Sequence, residues 1–218
     1  ANNSVAYTEK PYFEAFLSEM QTLYESKAGE RGIFSRVAAQ KIAARNGRRD
    51  PEQDFGTNPC SEIILRSNQF CNLSEIVVRA DDDLNSLKKK AEIAAIIGTL
   101  QATLTDFRYL RNVWAKNTEE EALLGVSLTG IMDHRILSGA EPDELERYLD
   151  ELKKVAVKTN KTWAKNLGIN QSTAITCVKP SGTVSQLVDS ASGIHPRFSE
   201  HYIRRVRSDK KDPLAQYM

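Results

Sequence analysis

Long amphipathic stretches alternate with short apolar runs along this chain, and that alternation limits its fold more than any other feature. Pro142-Asp143 opens a stretch in which Leu145, Leu149, Leu152, Ala156, Thr159 and Trp163 recur at intervals of three and four up to Gly168. This is the spacing of one helix face, with a start and a stop signal. A second helix is expected over about 11–27 behind Pro11, with Phe13, Phe16, Leu17, Met20, Leu23 and Tyr24 as its stripe and Gly29 and Gly32 as its end. A shorter one is expected around 34–46, stopping at Asn46-Gly47, before the polar loop segment RRDPEQDFGTNP. Asp81 to Asp83 cap a long helix read as Leu84 to Leu110, with Leu87, Ala91, Ala94, Ile97, Leu100, Leu104 and Phe107 on one side and Ile93 and Ile96 widening the face. Extended runs lie between these helices, at 4–8, 62–66, 70–79, 125–131, 172–178 and 201–207. Helices of this length alternating with short strands imply an α/β fold with a largely parallel sheet or barrel.

Composition narrows the function classes. The chain has 218 residues, enough for one large domain or two small ones, and 40% apolar against 27% charged residues is ordinary globular usage. No run approaches the roughly 18 apolar residues of a membrane span, and no signal peptide opens the chain, so a cytoplasmic location is expected. Thirty basic and 29 acidic side chains leave a charge of +1, no field with which to grip nucleic acid or a membrane surface. Any anionic ligand must therefore be held locally. Three cysteines suit a reducing compartment, and three histidines without Cys-x-x-Cys pairs suggest no metal site.

Chemistry concentrates in two places. After the 172–178 run come Pro180, Ser181, Gly182, Thr183, Val184 and Ser185, then Gln186-Leu187-Val188, which can continue as a helix. A strand, a small-residue turn and a helix start aim backbone N–H groups and hydroxyls at one point, a cradle for an anion. Neither common nucleotide-binding glycine motif is present, and an ordinary capped turn is the competing reading. The second place is Asn58-Pro59-Cys60-Ser61-Glu62. In an extended loop, alternate residues would project an amide, a thiol and a carboxylate to one side. Cys71 follows 11 residues later, too far for a redox Cys-x-x-Cys, although the two cysteines could meet across a hairpin. Buried small hydrophobes are the competing reading of both.

Together NPCSEI, QFCNLSEIV and TCVKPSGTVSQLVDSASGIHPRFSEHYIRRVR, with NNSVAY and KAGERGIFSR near the start, resemble the catalytic subunit of ribonucleotide reductase. The resemblance is greatest to the adenosylcobalamin-dependent class II form, particularly the ribonucleoside-triphosphate reductases. It implies that residues 1–218 form part of a ten-stranded α/β barrel, with a central finger loop at about 56–73 and a phosphate loop at about 179–186. By position Cys60 takes the thiyl role and abstracts the ribose 3′ hydrogen. Glu62 is then the base on the 3′ hydroxyl, Asn58 the amide that orients the sugar, and Cys71 one of two reducing thiols. Ser181, Gly182, Thr183, Val184 and Ser185 match the substrate phosphate loop.

The resemblance further implies adenosylcobalamin as cofactor, a ribonucleotide substrate, a deoxynucleotide effector and a thioredoxin-like reductant. The second reducing cysteine and the C-terminal cysteine pair of the family have no counterpart here, and Cys177 reads as an inward structural thiol. With Ala rather than Met at position 1, these gaps point to a piece of a longer or split enzyme that needs the remaining reductase segments. Two alternatives stay open: a fragment of a class I large subunit, and a non-catalytic nucleotide-binding domain. His195 reads as structural or near the site. Arg205 and Arg207 share one strand face, either toward phosphate or at a solvated edge, with Arg204 beside them. Lys88 to Lys90 read as an exposed helix face.

Overall fold

The computed structural model describes residues 4–27, 32–203 and 205–218. Gly29, Arg204, and parts of the NNSVAY and KAGERGIFSR segments lie outside the described residues. The elements follow the order β1 (Val5–Tyr7), α1 (Phe13–Ser26), β2 (Ile33–Ser35), α2 (Arg36–Arg45), β3 (Phe55–Thr57), β4 (Ile64–Arg66), β5 (Asn72–Val77), α3 (Leu84–Gln101), α4 (Asn112–Glu121), β6 (Leu124–Thr129), α5 (Pro142–Leu167), α6 (Thr183–Leu187) and α7 (Pro213–Tyr217). Short irregular turns at Ile131–Asp133 and Ile136–Ala140 lie between β6 and α5.

The strands pair as three two-stranded sheets: β1 with β2 in parallel, β3 with β4 antiparallel, and β5 with β6 in parallel. Parallel neighbours need a crossover, and α3 and α4 supply it between β5 and β6. The chain then returns through α5 to lay residues 173–177 along the free side of β6. There the Leu124 and Val126 N–H groups donate to the Ala174 and Ile175 carbonyls, and Cys177 N–H donates to Val126 O. The expected strand at 172–178 is thus present as an irregular segment with a single bridge, Val126 to Thr176. The result is mixed α/β, as the alternation predicts. The ten-stranded barrel goes beyond what the described residues form, which is three small sheets and no closed one.

One core lies between this sheet and the helices α3 and α5. Ile76, Val78, Leu124 and Val126 from the strands meet Leu87, Ala91 and Ala95 of α3 and Leu152 and Ala156 of α5. Leu124 packs closely on α3 at Gly98, where a Cβ would stand 3.0 Å from the Leu124 side chain. Asp83 caps α3 with a reciprocal bond pair to Ser86, as the aspartate run predicts. Helix α5 ends with Gly168 at φ 70, the left-handed cap that glycine favours.

A polar knot joins the layers. The fully buried Asn160 of α5 donates to Thr99 Oγ1 at 3.0 Å and Ser172 Oγ at 2.9 Å, and accepts from Ser172 N–H at 3.0 Å. Replacing Asn160 by Ala strands these groups away from water, and a loss of about 1–3 kcal/mol in urea unfolding is expected.

Several expectations are corrected. Helix α3 stops at Gln101 rather than Leu110, because Phe107 leaves the helical path to meet Phe70, which in turn stacks on Trp114 (ring centroids 5.0 and 4.7 Å). Its outer residues Ile97 and Leu100 are exposed, as is Leu104 beyond its end. Helix α4 was not expected, and β3 forms inside the segment read as a polar loop. Residues 201–207 form no strand among the described residues; Tyr202, Ile203 and Val206 are exposed, as are Arg205 and Arg207. Helix α1 has the expected extent, yet none of its residues is buried. Of the three lysines, only Lys89 is a simple exposed residue: Lys88 pairs with Glu151 of α5, and Lys90 holds Asp82 and the Val77 carbonyl.

Candidate active site

Strands β3 and β4 make a hairpin whose connecting residues are Asn58 to Ile63, with Phe55 opposite Arg66 and Thr57 opposite Ile64. The connection is a tight turn, not the extended loop that would project residues 58, 60 and 62 to one side. Ser61 N–H donates to Asn58 O at 3.0 Å, and Ser61 takes the left-handed conformation at φ 61. Asn58 Oδ1 accepts the Ile63 N–H at 3.0 Å, so this side chain closes the hairpin and leaves its amide nitrogen as the donor end. Cys60 stands exposed at the tip. It does not meet Cys71 across a hairpin, because Cys71 lies beyond β4, at the entry to β5.

A buried ionic network fixes this hairpin. Arg49 donates to both carboxylate oxygens of Glu121 at 2.9 and 2.7 Å and to Ile64 O of β4 at 2.8 Å. Its guanidinium lies 4.6 Å from the centroid of the fully buried Phe55 ring. Gln69 accepts Arg66 N–H and donates to Glu121, while Asn117 donates to Ser67 O. Both strands are therefore tied to the end of α4. No local pattern marks this role for Arg49, which sits in the segment read as loop. Its partner Glu121 belongs to the helix that periodicity missed.

Behind the turn, Glu62, Cys71 and Cys177 come within electrostatic reach of one another. Burial pushes the Cys71 thiol up to about 12, with the Cys177 charge adding to it, Arg49 opposing and Glu62 adding again. Burial also raises Cys177 to about 11, followed by Glu62, with Lys179 and a Ser127 hydrogen bond opposing and Glu75 adding. Glu62 Oε2 is buried and has no hydrogen-bond partner among the described residues. All three cysteines are free thiols. Cys71 and Cys177 flank β6 from opposite sides, which puts two strand spacings, roughly 9–10 Å, between their backbones. A disulfide reaches only about 7 Å, so these two cannot pair without rearrangement.

Raised values keep both half-buried thiols protonated at neutral pH. Iodoacetamide at pH 8 is expected to modify Cys60 first, with Cys71 and Cys177 slower by at least an order of magnitude in peptide mass spectrometry. Equal rates would contradict this environment. The sign for stability follows: the protonated thiols favour the fold fully below an ordinary thiol value near 9.0, and this contribution falls as pH climbs toward about 11 and about 12.

Cys177 leads directly into the small-residue turn. Lys179 N–H donates to Ser127 Oγ at 2.8 Å, and Ser181 Oγ donates to Glu75 Oε2 at 3.3 Å. Ser181 and Ser185 are buried, whereas Gly182, Thr183 and Val184 are exposed, and nothing lies within 4 Å of a Cβ built on Gly182. The exposed face of 182–184 is open to a ligand. Beneath it Ser185 Oγ donates to Gly182 O at 2.7 Å, and Ser192 Oγ donates to Ser181 O. Thr129 and Gly130 end β6 against this loop: Thr129 Oγ1 accepts Gly193 N–H, and a Cβ on Gly130 (φ 78) would stand 2.6 Å from Val78 O.

Sequence reading missed Glu75, Thr129, Arg79, Asp133 and Arg197 in this surround. Only Thr129-Gly130, at the end of an apolar run, carried a local signal. His195 is exposed, and its backbone N–H donates to Ser192 O at 2.8 Å.

Among the described residues no group of three or more His, Cys, Asp or Glu could hold a metal ion, and no helix is long and apolar enough to cross a membrane. No family model matches the chain. In three dimensions it resembles the crystal structure of a B12-dependent, class II ribonucleotide reductase, with a TM-score of 0.66 and 26% identity over 89% of this chain and 30% of that one. The mixed α/β arrangement of this chain is thus that of part of a class II ribonucleotide reductase.

Sequence relatives make the family more particular. The adenosylcobalamin-dependent ribonucleoside-triphosphate reductase of Lacticaseibacillus paracasei is 31% identical over 244 aligned positions, covering 98% of this chain and 31% of the relative. That of Lactobacillus leichmannii is 29% identical over 183 positions, covering 73% and 24%. The chain is a homologue of adenosylcobalamin-dependent ribonucleoside-triphosphate reductases, and it spans about a third or less of the length of the relatives it matches.

Proposed function

We propose that this chain supplies the radical thiol, the base and the phosphate-binding turn of a ribonucleoside-triphosphate reductase, which converts ribonucleotides to 2′-deoxyribonucleotides. The observation that carries the reading is the hairpin itself. It presents Cys60 at an exposed tip between Asn58, whose amide is the donor end, and Glu62, whose buried Oε2 has no partner among the described residues. An unpaired buried carboxylate oxygen is costly unless a ligand or proton completes it.

The residues divide the work as follows. A thiyl radical at Cys60 takes the hydrogen atom from C3′, re-forming the S–H bond and leaving the radical on the sugar. Glu62 accepts the proton of the 3′ hydroxyl, which stabilises the charge that develops as the 2′ hydroxyl, protonated by one of the reducing thiols, leaves as water. Asn58 donates to a sugar hydroxyl and does not compete for that proton. Cys71 provides one of the two thiols whose oxidation supplies the two electrons. The exposed backbone of 182–184 and the Thr183 hydroxyl, within the turn 181–185, take the phosphates, so a chain of net charge +1 can hold a polyanion. Within the whole enzyme, residues 56–73 would be the finger loop of a ten-stranded barrel, with a deoxynucleotide effector and a thioredoxin-like reductant as further partners.

Adenosylcobalamin fits the donor set in one respect: a radical generated outside the chain needs a thiol that is free and accessible, and Cys60 is both. When bound, it supplies the radical equivalent that Cys60 receives. The relatives' class II form favours this source over the separate subunit of class I enzymes.

The test is reconstitution. The chain is mixed with adenosylcobalamin, cytidine triphosphate and a dithiol, alone and together with a polypeptide covering the parts of the relatives outside the match. Deoxycytidine triphosphate formed only with the complement supports the reading. Nucleotide binding without turnover in either mixture would favour a non-catalytic nucleotide-binding domain.

A further inference from the structure

Two arginines far apart in sequence converge on the corner that follows α6. Arg79, just beyond β5, donates to Val188 O at 2.6 Å and Asp189 O at 2.7 Å. Arg197 donates to Asp189 Oδ1 at 2.7 Å, Asp189 O at 3.1 Å, and both Asp133 oxygens at 2.9 and 3.1 Å. Asp133 Oδ2 in turn accepts Ala191 N–H at 2.8 Å, and Ser190 N–H closes on Ser185 O at 2.9 Å. Isolated exposed ion pairs hold little, but two rigid forks making four contacts to one corner, with two more from Arg197 to Asp133, form a network.

The corner is also strained. Asp189 adopts φ 47, in the left-handed region that a residue with a side chain enters at a cost. Its carbonyl accepts from both guanidinium groups, and that of Val188 from Arg79. Releasing them would let the corner relax and carry Ser185, and with it the Gly182 carbonyl that Ser185 Oγ holds. The path from the arginines to 181–185 is therefore short and continuous.

We infer that Arg79 and Arg197 are positioning residues of the phosphate-binding turn, holding the Val188–Ala191 corner so that 181–185 keeps the shape in which it takes a triphosphate. This rests on the reading of 181–185 given above. Neither arginine needs to touch the nucleotide, because both are spent on the corner.

The test is calorimetric titration of the full chain with cytidine triphosphate and with inorganic tripolyphosphate, for the unaltered protein, Arg79→Gln, Arg197→Gln and Arg79→Lys. Both Gln variants are expected to bind each probe at least tenfold more weakly. Arg79→Lys, which keeps the charge and one contact, is expected to stay within about threefold. A loss of long-range attraction alone would fade in 0.5 M salt, where the Debye length falls to roughly 4 Å, whereas a loss of turn geometry persists. Amide hydrogen exchange at 183–190 should accelerate in the Gln variants while exchange in α5 stays unchanged, which separates the corner from general destabilisation.

Binding by the unaltered chain with Gln variants within twofold of it would overturn the inference and leave the phosphate-turn reading standing. Weaker binding that salt abolishes would also overturn it. No binding of either probe by the unaltered chain would overturn both.

Discussion

Arg49→Met should lower the unfolding free energy by about 3–5 kcal/mol, because it leaves the Glu121 carboxylate buried without its cation. The pair is nearly closed to solvent, with side-chain exposures of 3% and 7%. The same change removes the hydrogen bond to Ile64 O and the cation facing Phe55. Urea unfolding measures the loss. The double variant Arg49→Met, Glu121→Met should recover much of it, since two apolar side chains no longer bury a lone charge. A single-variant loss below about 1 kcal/mol would show that the network does not hold the hairpin.

Cys60→Ala should remove turnover altogether in the reconstituted enzyme while leaving nucleotide binding within twofold. The side chain is exposed at the turn, so its replacement is expected to change stability by no more than about 0.5 kcal/mol. A lost reaction could not then be put down to a lost fold. Glu62→Gln keeps the shape and removes the base, and a fall of about 10²–10⁴-fold in turnover is expected, the usual contribution of a positioned base. Retained turnover in Cys60→Ala would end the radical assignment.

Helix α5 was legible to within a residue, since its stripe is long and Pro142 and Gly168 mark its ends. Strands β5 and β6 were legible as apolar runs for the same local reason. What failed was settled by distant contacts. Phe107 leaves the α3 pattern for Phe70 and Trp114, and α4 carries a polar face, Asn117, Thr118 and Glu121, that is buried because Arg49, Arg66 and Gln69 bond to it. No periodicity in 112–121 records those partners.

The candidate site divides along the same line. Cys60, Glu62 and the 181–185 turn could be picked out because small residues, a proline and a thiol stand close together in sequence. The extended geometry assumed for 58–62 failed because Asn58 Oδ1 bonds Ile63 N–H and folds the loop into a turn. Arg79, Asp133 and Arg197 are separated by 54 and 64 residues, and only the fold brings them to one corner.

In the proposed reaction Cys60 removes hydrogen from C3′ of a ribonucleoside triphosphate. The most direct measurement is deoxynucleotide formation by the complemented chain from cytidine triphosphate with and without deuterium at C3′. A slower reaction with the deuterated substrate, and none with Cys60→Ala, is the predicted result. Product formed by Cys60→Ala at an undiminished rate, or no isotope effect under single-turnover conditions, would contradict it.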